Sequence, residues 1–168
     1  YKMTETADGF ALNVTVTNTG KAAGKEVVQA YLQNPYTEYD RANRIEKPAV
    51  ELVGFAKTDT LQPGESQTVQ IDVDKSAMKV FDAYGAGTYI LEAGDYYLTA
   101  AANAHEAAKN ILAAKDAAVD GNAAMTVGHR RARISRVAPP PIFLRTAMYE
   151  PFSVSKVNVL SRLTPWVR

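Results

Sequence analysis

The 168-residue chain has no cysteine, one tryptophan and two histidines. Zero cysteine excludes a disulfide scaffold, a thiol nucleophile and thiolate metal sites, although it does not identify the compartment. No run approaches the ~18 apolar residues needed to span a bilayer, and residues 1–20 lack the basic, apolar and cleavage regions of a signal peptide. A soluble chain with no membrane partner is therefore expected, and because it opens at Tyr1 rather than Met it is read as a piece of something longer. Large apolar side chains are also scarcer than the 46% hydrophobic content suggests, since 27 of those residues are alanine. What remains suffices for one ordinary core plus an extension, but not for two full domains.

The formal net charge of +1 hides two unlike segments. Residues 1–128 carry 11 Lys and Arg against 17 Asp and Glu, whereas residues 129–168 carry eight basic residues and a single acid, Glu150. The basic part begins with His129, Arg130, Arg131, Arg133 and Arg136. Pro139, Pro140 and Pro141 follow and forbid helix. A basic patch without a recognition fold gives only non-specific attraction, so no specific nucleic-acid partner is expected. The composition sets residues 122–168 apart as an irregular basic tail, whose apolar residues (Ile142, Phe143, Leu144, Phe152, Trp166) offer a route to a homo-oligomer.

The acidic part reads as strands. Phe10, Leu12, Val14 and Val16 alternate with Ala11, Asn13, Thr15 and Thr17, the period of a strand with one buried face. Glu26–Leu32 is β-branched and aromatic and stops at Asn34-Pro35. Glu51–Phe55 is a shorter candidate, and the turn signal Leu61-Gln62-Pro63-Gly64-Glu65 precedes Gln67–Val73, with Val69, Ile71 and Val73 inward. Thr88–Glu92 and Asp95–Ala101 are read as a hairpin across Ala93-Gly94, with Tyr89, Leu91, Tyr96 and Leu98 in the core. Five or six short strands with little helix between them predict an all-β, immunoglobulin-like antiparallel sandwich over residues 1–102. A helix is expected next, capped by Asn103 and running Ala104–Ala118, with Ala107, Ile111, Ala114 and Ala118 on one face and Gly121 as its stop. This helical extension spans residues 103–121.

In Val14–Gly20, Gly24–Leu32, Lys47-Pro48, Glu51–Lys57, Leu61–Ser66 and Asp82 through Glu92–Tyr97, the sequence resembles the fibronectin type III-like domain of glycoside hydrolase family 3, which comprises β-glucosidases and β-xylosidases. The resemblance covers about residues 1–101. Lys47-Pro48 stands where many members have Arg-Pro, and from Gly128 onward no resemblance is read. The resemblance implies a fibronectin type III-like sandwich that braces a catalytic barrel and an α/β sandwich domain in a parent β-glucosidase. Neither domain is in this chain; a TIM barrel alone needs ~250 residues. Retaining glycoside hydrolysis requires two carboxyl groups ~5–5.5 Å apart, and no position matches the family's nucleophile motif. No catalytic residue and no cofactor are expected.

The candidate site is the connection from Asn34 to Lys47, since loops longer than ~12–15 residues are uncommon unless they function. Tyr36 and Tyr39 are read as stacking platforms, with Asp40, Arg41 and Arg44 as polar partners. Two uses remain open: docking onto the parent's catalytic domains, favoured because aromatic residues and Arg are enriched at interfaces, or binding β-linked oligosaccharide. A small independent hydrolase whose site needs the tail is the third reading. No metal site is expected: Asp72 and Asp74 merely share a strand's wet face. His105 and His129 lack a Gly-x-Ser-x-Gly elbow to present Ser66, Ser76 or Ser135.

Overall fold

The computed structural model describes residues 1–117, 120–131 and 135–137. In chain order the elements are β1 (Lys2–Glu5), β2 (Gly9–Thr17), β3 (Val27–Gln33), α1 (Glu38–Asn43), β4 (Glu51–Lys57), β5 (Ser66–Asp74), β6 (Val80–Asp82), β7 (Thr88–Leu91), β8 (Gly94–Ala101), α2 (Ala104–Ala114), β9 (Thr126–Arg131) and β10 (Ser135–Val137). Single 3-10 turns at Lys75–Met78 and Ala123–Met125 precede β6 and β9. All strand pairs are antiparallel and form three sheets, ordered β1-β2-β5, β4-β3-β8-β9 and β10-β7-β6. This is the expected all-β sandwich.

The alternation in β2 and β5 does what its period demands. Leu12 and Val14 sit opposite Ile71 and Val69 in the register, and all four are buried. They pack against Val28, Ala30, Leu32, Leu98 and Ala100 from the β3/β8 pair, forming a large core. The polar outer face is also paired across strands, with the hydroxyls of Thr15 and Thr68 2.9 Å apart and those of Thr17 and Ser66 2.7 Å apart. Before β5, the Glu65 N–H donates to the Gln62 carbonyl at 2.9 Å and Gly64 takes φ +83°. Pro63 and Gly64 thus occupy the two central positions of a type II turn, where Pro presets φ and Gly tolerates its positive value.

Three expectations need correction. The two strands flanking Ala93-Gly94 do not form a hairpin: β7 lies between β6 and β10, while β8 lies between β3 and β9. The short link carries the chain from one sheet to another. The faces of β7 change accordingly, because Thr88 and Ile90 turn inward. Tyr89, expected in the core, is half exposed and meets Phe81 edge-on with ring centroids 5.3 Å apart.

Secondly, α2 ends at Ala114, earlier than Ala118. Lys115 caps it, Asp116 takes φ 58°, and the N–H groups of Asp116 and Ala117 donate to the carbonyls of Ala113 and Leu112. This is a Schellman ending, with Asp in the left-handed position usually held by Gly. Ala107 and Ile111 are fully buried as expected, and Ala118 lies outside the described residues. Gly121 has a different role from a stop: a Cβ there would sit 2.2 Å from the Lys109 carbonyl oxygen, so the returning chain presses directly on the helix backbone. The Asn122 N–H then donates to Asn110 Oδ1 at 2.8 Å.

Thirdly, the sandwich continues past residue 102. Thr126–Arg131 pairs with β8 from Thr99 to Gly94, and Ser135–Val137 pairs with Leu91 to Tyr89 of β7. Both stretches fall in the segment read as an irregular basic tail. Sheet edges present unpaired backbone groups to any chain able to reach them, and α2 turns the chain back to do so. Pro139–Pro141 and the apolar residues from Ile142 to Trp166 lie outside the described residues.

Candidate functional site

The connection from Asn34 to Lys47 is not structureless. Thr37 caps α1 in a reciprocal arrangement: its hydroxyl oxygen accepts from the Asp40 N–H at 3.3 Å, and its own N–H donates to Asp40 Oδ2 at 2.7 Å. The spacing Thr-x-x-Asp is a capping-box signature that was available in the sequence. Arg44 closes the helix with φ 55°, and Ile45, buried in the sandwich, donates its N–H to the Asp40 carbonyl at 2.9 Å. Six residues are too few for a helix to hold by itself. Tertiary anchors do the rest.

The first anchor is a buried ionic cluster. The Lys47 ammonium donates to Asp40 Oδ2 at 2.7 Å, to the Pro35 carbonyl at 2.7 Å and to Glu92 Oε2. Exposure of the three side chains is 4% for Lys47, 0% for Asp40 and 2% for Glu92. The Thr37 hydroxyl donates to Glu92 Oε1 at 2.8 Å. Burial raises the Glu92 carboxyl above the usual range, and it outweighs the opposing help of Lys47 and Thr37. Lys47 thus ties α1 to the crossing between β7 and β8.

A second anchor ties α1 to the β6–β7 turn. The Tyr39 hydroxyl donates to Asp82 Oδ2 at 2.6 Å, and the same carboxylate accepts from the N–H groups of Gly85 and Ala86 at 2.7 and 2.6 Å. Burial works to raise the Asp82 carboxyl, but Tyr39 and the Ala86, Gly85 and Tyr84 N–H groups together hold it below the usual range. Any side chain at Gly85 would collide with Asn43, Asp82 and Tyr39. The turn and the helix are locked together.

The five residues singled out in the sequence therefore divide into two groups. Asp40 is fully buried and half-buried Tyr39 spends its hydroxyl on Asp82, so both position the arm from inside. Tyr36, Arg41 and Arg44 face solvent. The Arg41 guanidinium lies 5.9 Å from the centre of the Tyr36 ring and pairs with Glu38, which presents an aromatic face and a cation as one unit. Tyr84, on the turn pinned by Asp82, is 75% exposed. Sequence reasoning gave Thr37 no role within the connection, did not include Glu92 or Tyr84, and assigned Lys47 no role beyond standing where the family has Arg. Among the described residues no cluster of three potential metal-ligating side chains occurs. His105 is exposed at the start of α2, and the Ser66 hydroxyl is engaged with Thr17.

Residues 26–104 match the fibronectin type III-like domain family, a span that begins one residue before β3 and ends at the first residue of α2. The chain carries a fibronectin type III-like domain across those residues. It is 44% identical over 94 residues to β-glucosidase A of Butyrivibrio fibrisolvens, covering 54% of this chain and 11% of that enzyme. It is 32% identical over 165 residues to the β-glucosidase of Ruminococcus albus, covering 94% of this chain and 16% of the enzyme. Among solved structures, the β-glucosidase of Kluyveromyces marxianus superposes with a TM-score of 0.58 at 28% identity, over 80% of this chain and 14% of that one. The chain thus spans only a small part of the length of the β-glucosidases it matches. The match to the Ruminococcus enzyme also corrects the reading that resemblance ends at Gly128. Residues 1–128 are 128 of 168, so a match over 94% of the chain runs into the basic segment.

Proposed function

We propose that this fibronectin type III-like domain is a non-catalytic accessory domain of a glycoside hydrolase family 3 β-glucosidase, bracing the catalytic domains with its α1 arm and contributing to the rim of the substrate site. The observation that carries the reading is the double anchoring of α1. A six-residue helix is held by a buried Lys47 cluster on one side and by Tyr39–Asp82 on the other, with Tyr36 and Arg41 left outside. Such rigidity suits an element that must meet a partner surface with little ordering cost, and Tyr and Arg are the residue types that anchor interfaces. The β-glucosidase relatives, of which this chain matches 11–16% of the length, supply the kind of partner.

The test uses the Ruminococcus albus β-glucosidase lacking its matching segment. This chain, added or fused, is expected to restore aryl-glucoside turnover and raise the melting temperature, and the combined Tyr36→Ala and Arg41→Ala variant is expected to lose most of that rescue. No association and no rescue would remove the proposal. The chain by itself is expected to show no turnover of aryl-glycosides or aryl-esters and no calorimetric heat with cello-oligosaccharides. Heat abolished by Tyr36→Ala would instead make the arm a carbohydrate-binding site, and turnover lost on truncation after Gly121 would make the chain a hydrolase.

A further inference from the structure

On one side β2 outruns its partner. Its pairing with β1 stops at Asn13, opposite Lys2, whereas its pairing with β5 continues to Thr17, opposite Ser66. In an antiparallel ladder the backbone groups of successive residues point alternately to the two sides. On the β5 side the Asn18 N–H donates to the Glu65 carbonyl at 2.9 Å, and on the β1 side the Thr6 N–H donates to the Gly9 carbonyl at 2.9 Å. Both ends give the same phase: Val14 and Val16 bond to β5, while Thr15 and Thr17 turn their N–H and C=O groups the other way, past the end of β1. Along this edge lies a cleft of about 270 Å³, room for side chains rather than for a single water. Val14, Val16, Val28 and Met125 form its apolar lining, and Glu26 and Glu106 stand in its wall. One carboxylate oxygen of each is held by a backbone N–H, that of Val27 at 2.9 Å for Glu26 and that of Ala102 at 3.1 Å for Glu106. Among the described residues neither carboxylate pairs with a cation.

We propose that this slot takes an extended peptide as an added strand, antiparallel to β2 and in line with β1. The backbone groups of Thr15 and Thr17 supply the ladder. A residue opposite Val16 faces the same way as Val16, into the cleft, so it is apolar; residues opposite Thr15 and Thr17 face outward beside the hydroxyls of that face, so they are polar. A basic side chain answers the two carboxylates, which border an apolar space without a described counter-charge. The partner is therefore a strand of alternating polar and apolar residues that carries Lys or Arg. Free sheet edges select peptides in this way: main-chain bonds hold the strand, and the spaces for alternate side chains choose it. Nothing in this recognition uses α1, so it is independent of any docking through Tyr36 and Arg41.

The experiment is an NMR titration of the full chain with the acetylated and amidated hexapeptide Lys-Thr-Ile-Thr-Val-Thr. The Thr15 and Thr17 amides are expected to shift saturably with a dissociation constant below about 1 mM, and their hydrogen exchange to slow by at least about tenfold at saturation. The amides of β4 are expected not to move. A peptide with Glu in place of Lys is expected to bind at least about fivefold more weakly, and the combined Glu26→Gln and Glu106→Gln variant to remove that difference. A peptide with proline as its fourth residue lacks an N–H that the ladder needs and is expected not to bind. No saturable shift at Thr15 and Thr17 up to about 10 mM peptide, or equal binding of the proline peptide, overturns the proposal. Protection of these amides that is present without peptide and grows with protein concentration would put a second copy in the slot, and overturns it too.

Discussion

Tyr39 and Asp82 lie 43 positions apart, yet the tyrosine hydroxyl donates to Asp82 Oδ2 at 2.6 Å, and Asp82 is fully buried. A single bond thus joins a six-residue helix to the turn after β6. Tyr39→Phe removes a hydrogen bond to a charged acceptor and is expected to cost about 1.5–3 kcal/mol. Asp82→Ala should cost more, because the Gly85 and Ala86 N–H groups lose their acceptor as well. Urea denaturation of the two variants checks both magnitude and order; equal costs would mean that the backbone donors find other partners.

The same carboxylate sets a pH dependence. Asp82 is held below its ordinary value in the folded state, so its contribution is present above the unfolded value and lost as pH falls through the folded one. The unfolding midpoint is expected to drop below about pH 4 and to drop less steeply in Asp82→Asn. This acid-side loss is opposite in sign to the contribution of Glu92, whose carboxyl is raised by burial and whose share of stability falls as pH climbs.

Lys47 compensates two buried acids, and removing it strands them. Lys47→Ala is expected to cost about 3–5 kcal/mol, the usual penalty for orphaning a buried ion partner. Glu92→Gln introduced beside Lys47→Ala should recover part of the loss, since one of the stranded charges is gone. A double variant no more stable than Lys47→Ala alone would show that packing, not charge, dominates the cluster.

Glycine is required at position 121 for space. Gly121→Ala places a methyl group against the Lys109 carbonyl and is expected to destabilise by at least about 1–3 kcal/mol, whereas Gly24→Ala, which meets nothing within 4 Å, should stay within about 0.5 kcal/mol of the parent. Thermal melts of the pair are the measurement. Comparable melting temperatures would mean that α2 and the returning chain separate easily.

Asn103 caps α2 with its side-chain oxygen 2.9 Å from the Glu106 N–H. Asn103→Ala should cost about 1 kcal/mol and Asn103→Asp much less. Equal losses in chemical denaturation would point to a role other than capping.

Much of this architecture is set by local pattern. The alternation of Leu12 and Val14 with polar residues, the Pro63-Gly64 turn and the Asn103 cap each follow from chain-local physics: side-chain period, preset dihedrals and an orphan N–H in reach of a short polar side chain. Those patterns predicted an antiparallel sandwich, and the ordered segments from Val14 to Tyr97 carried its resemblance to the fibronectin type III-like family. Partner choice was not legible there. Whether Thr88–Leu91 pairs with its neighbour in sequence or with β6 and β10, whether a basic stretch lies free or closes the edge of β8, and whether Asp40 meets water or Lys47 all depend on groups distant along the chain. Local propensity is blind to those contacts, because unpaired sheet edges and buried charges find their partners only when the whole chain is folded. Sequence by itself determined the strands with a clear apolar pattern, and it carried the family likeness. Only the tertiary structure turned a loop of candidate ligands into a helix held from within.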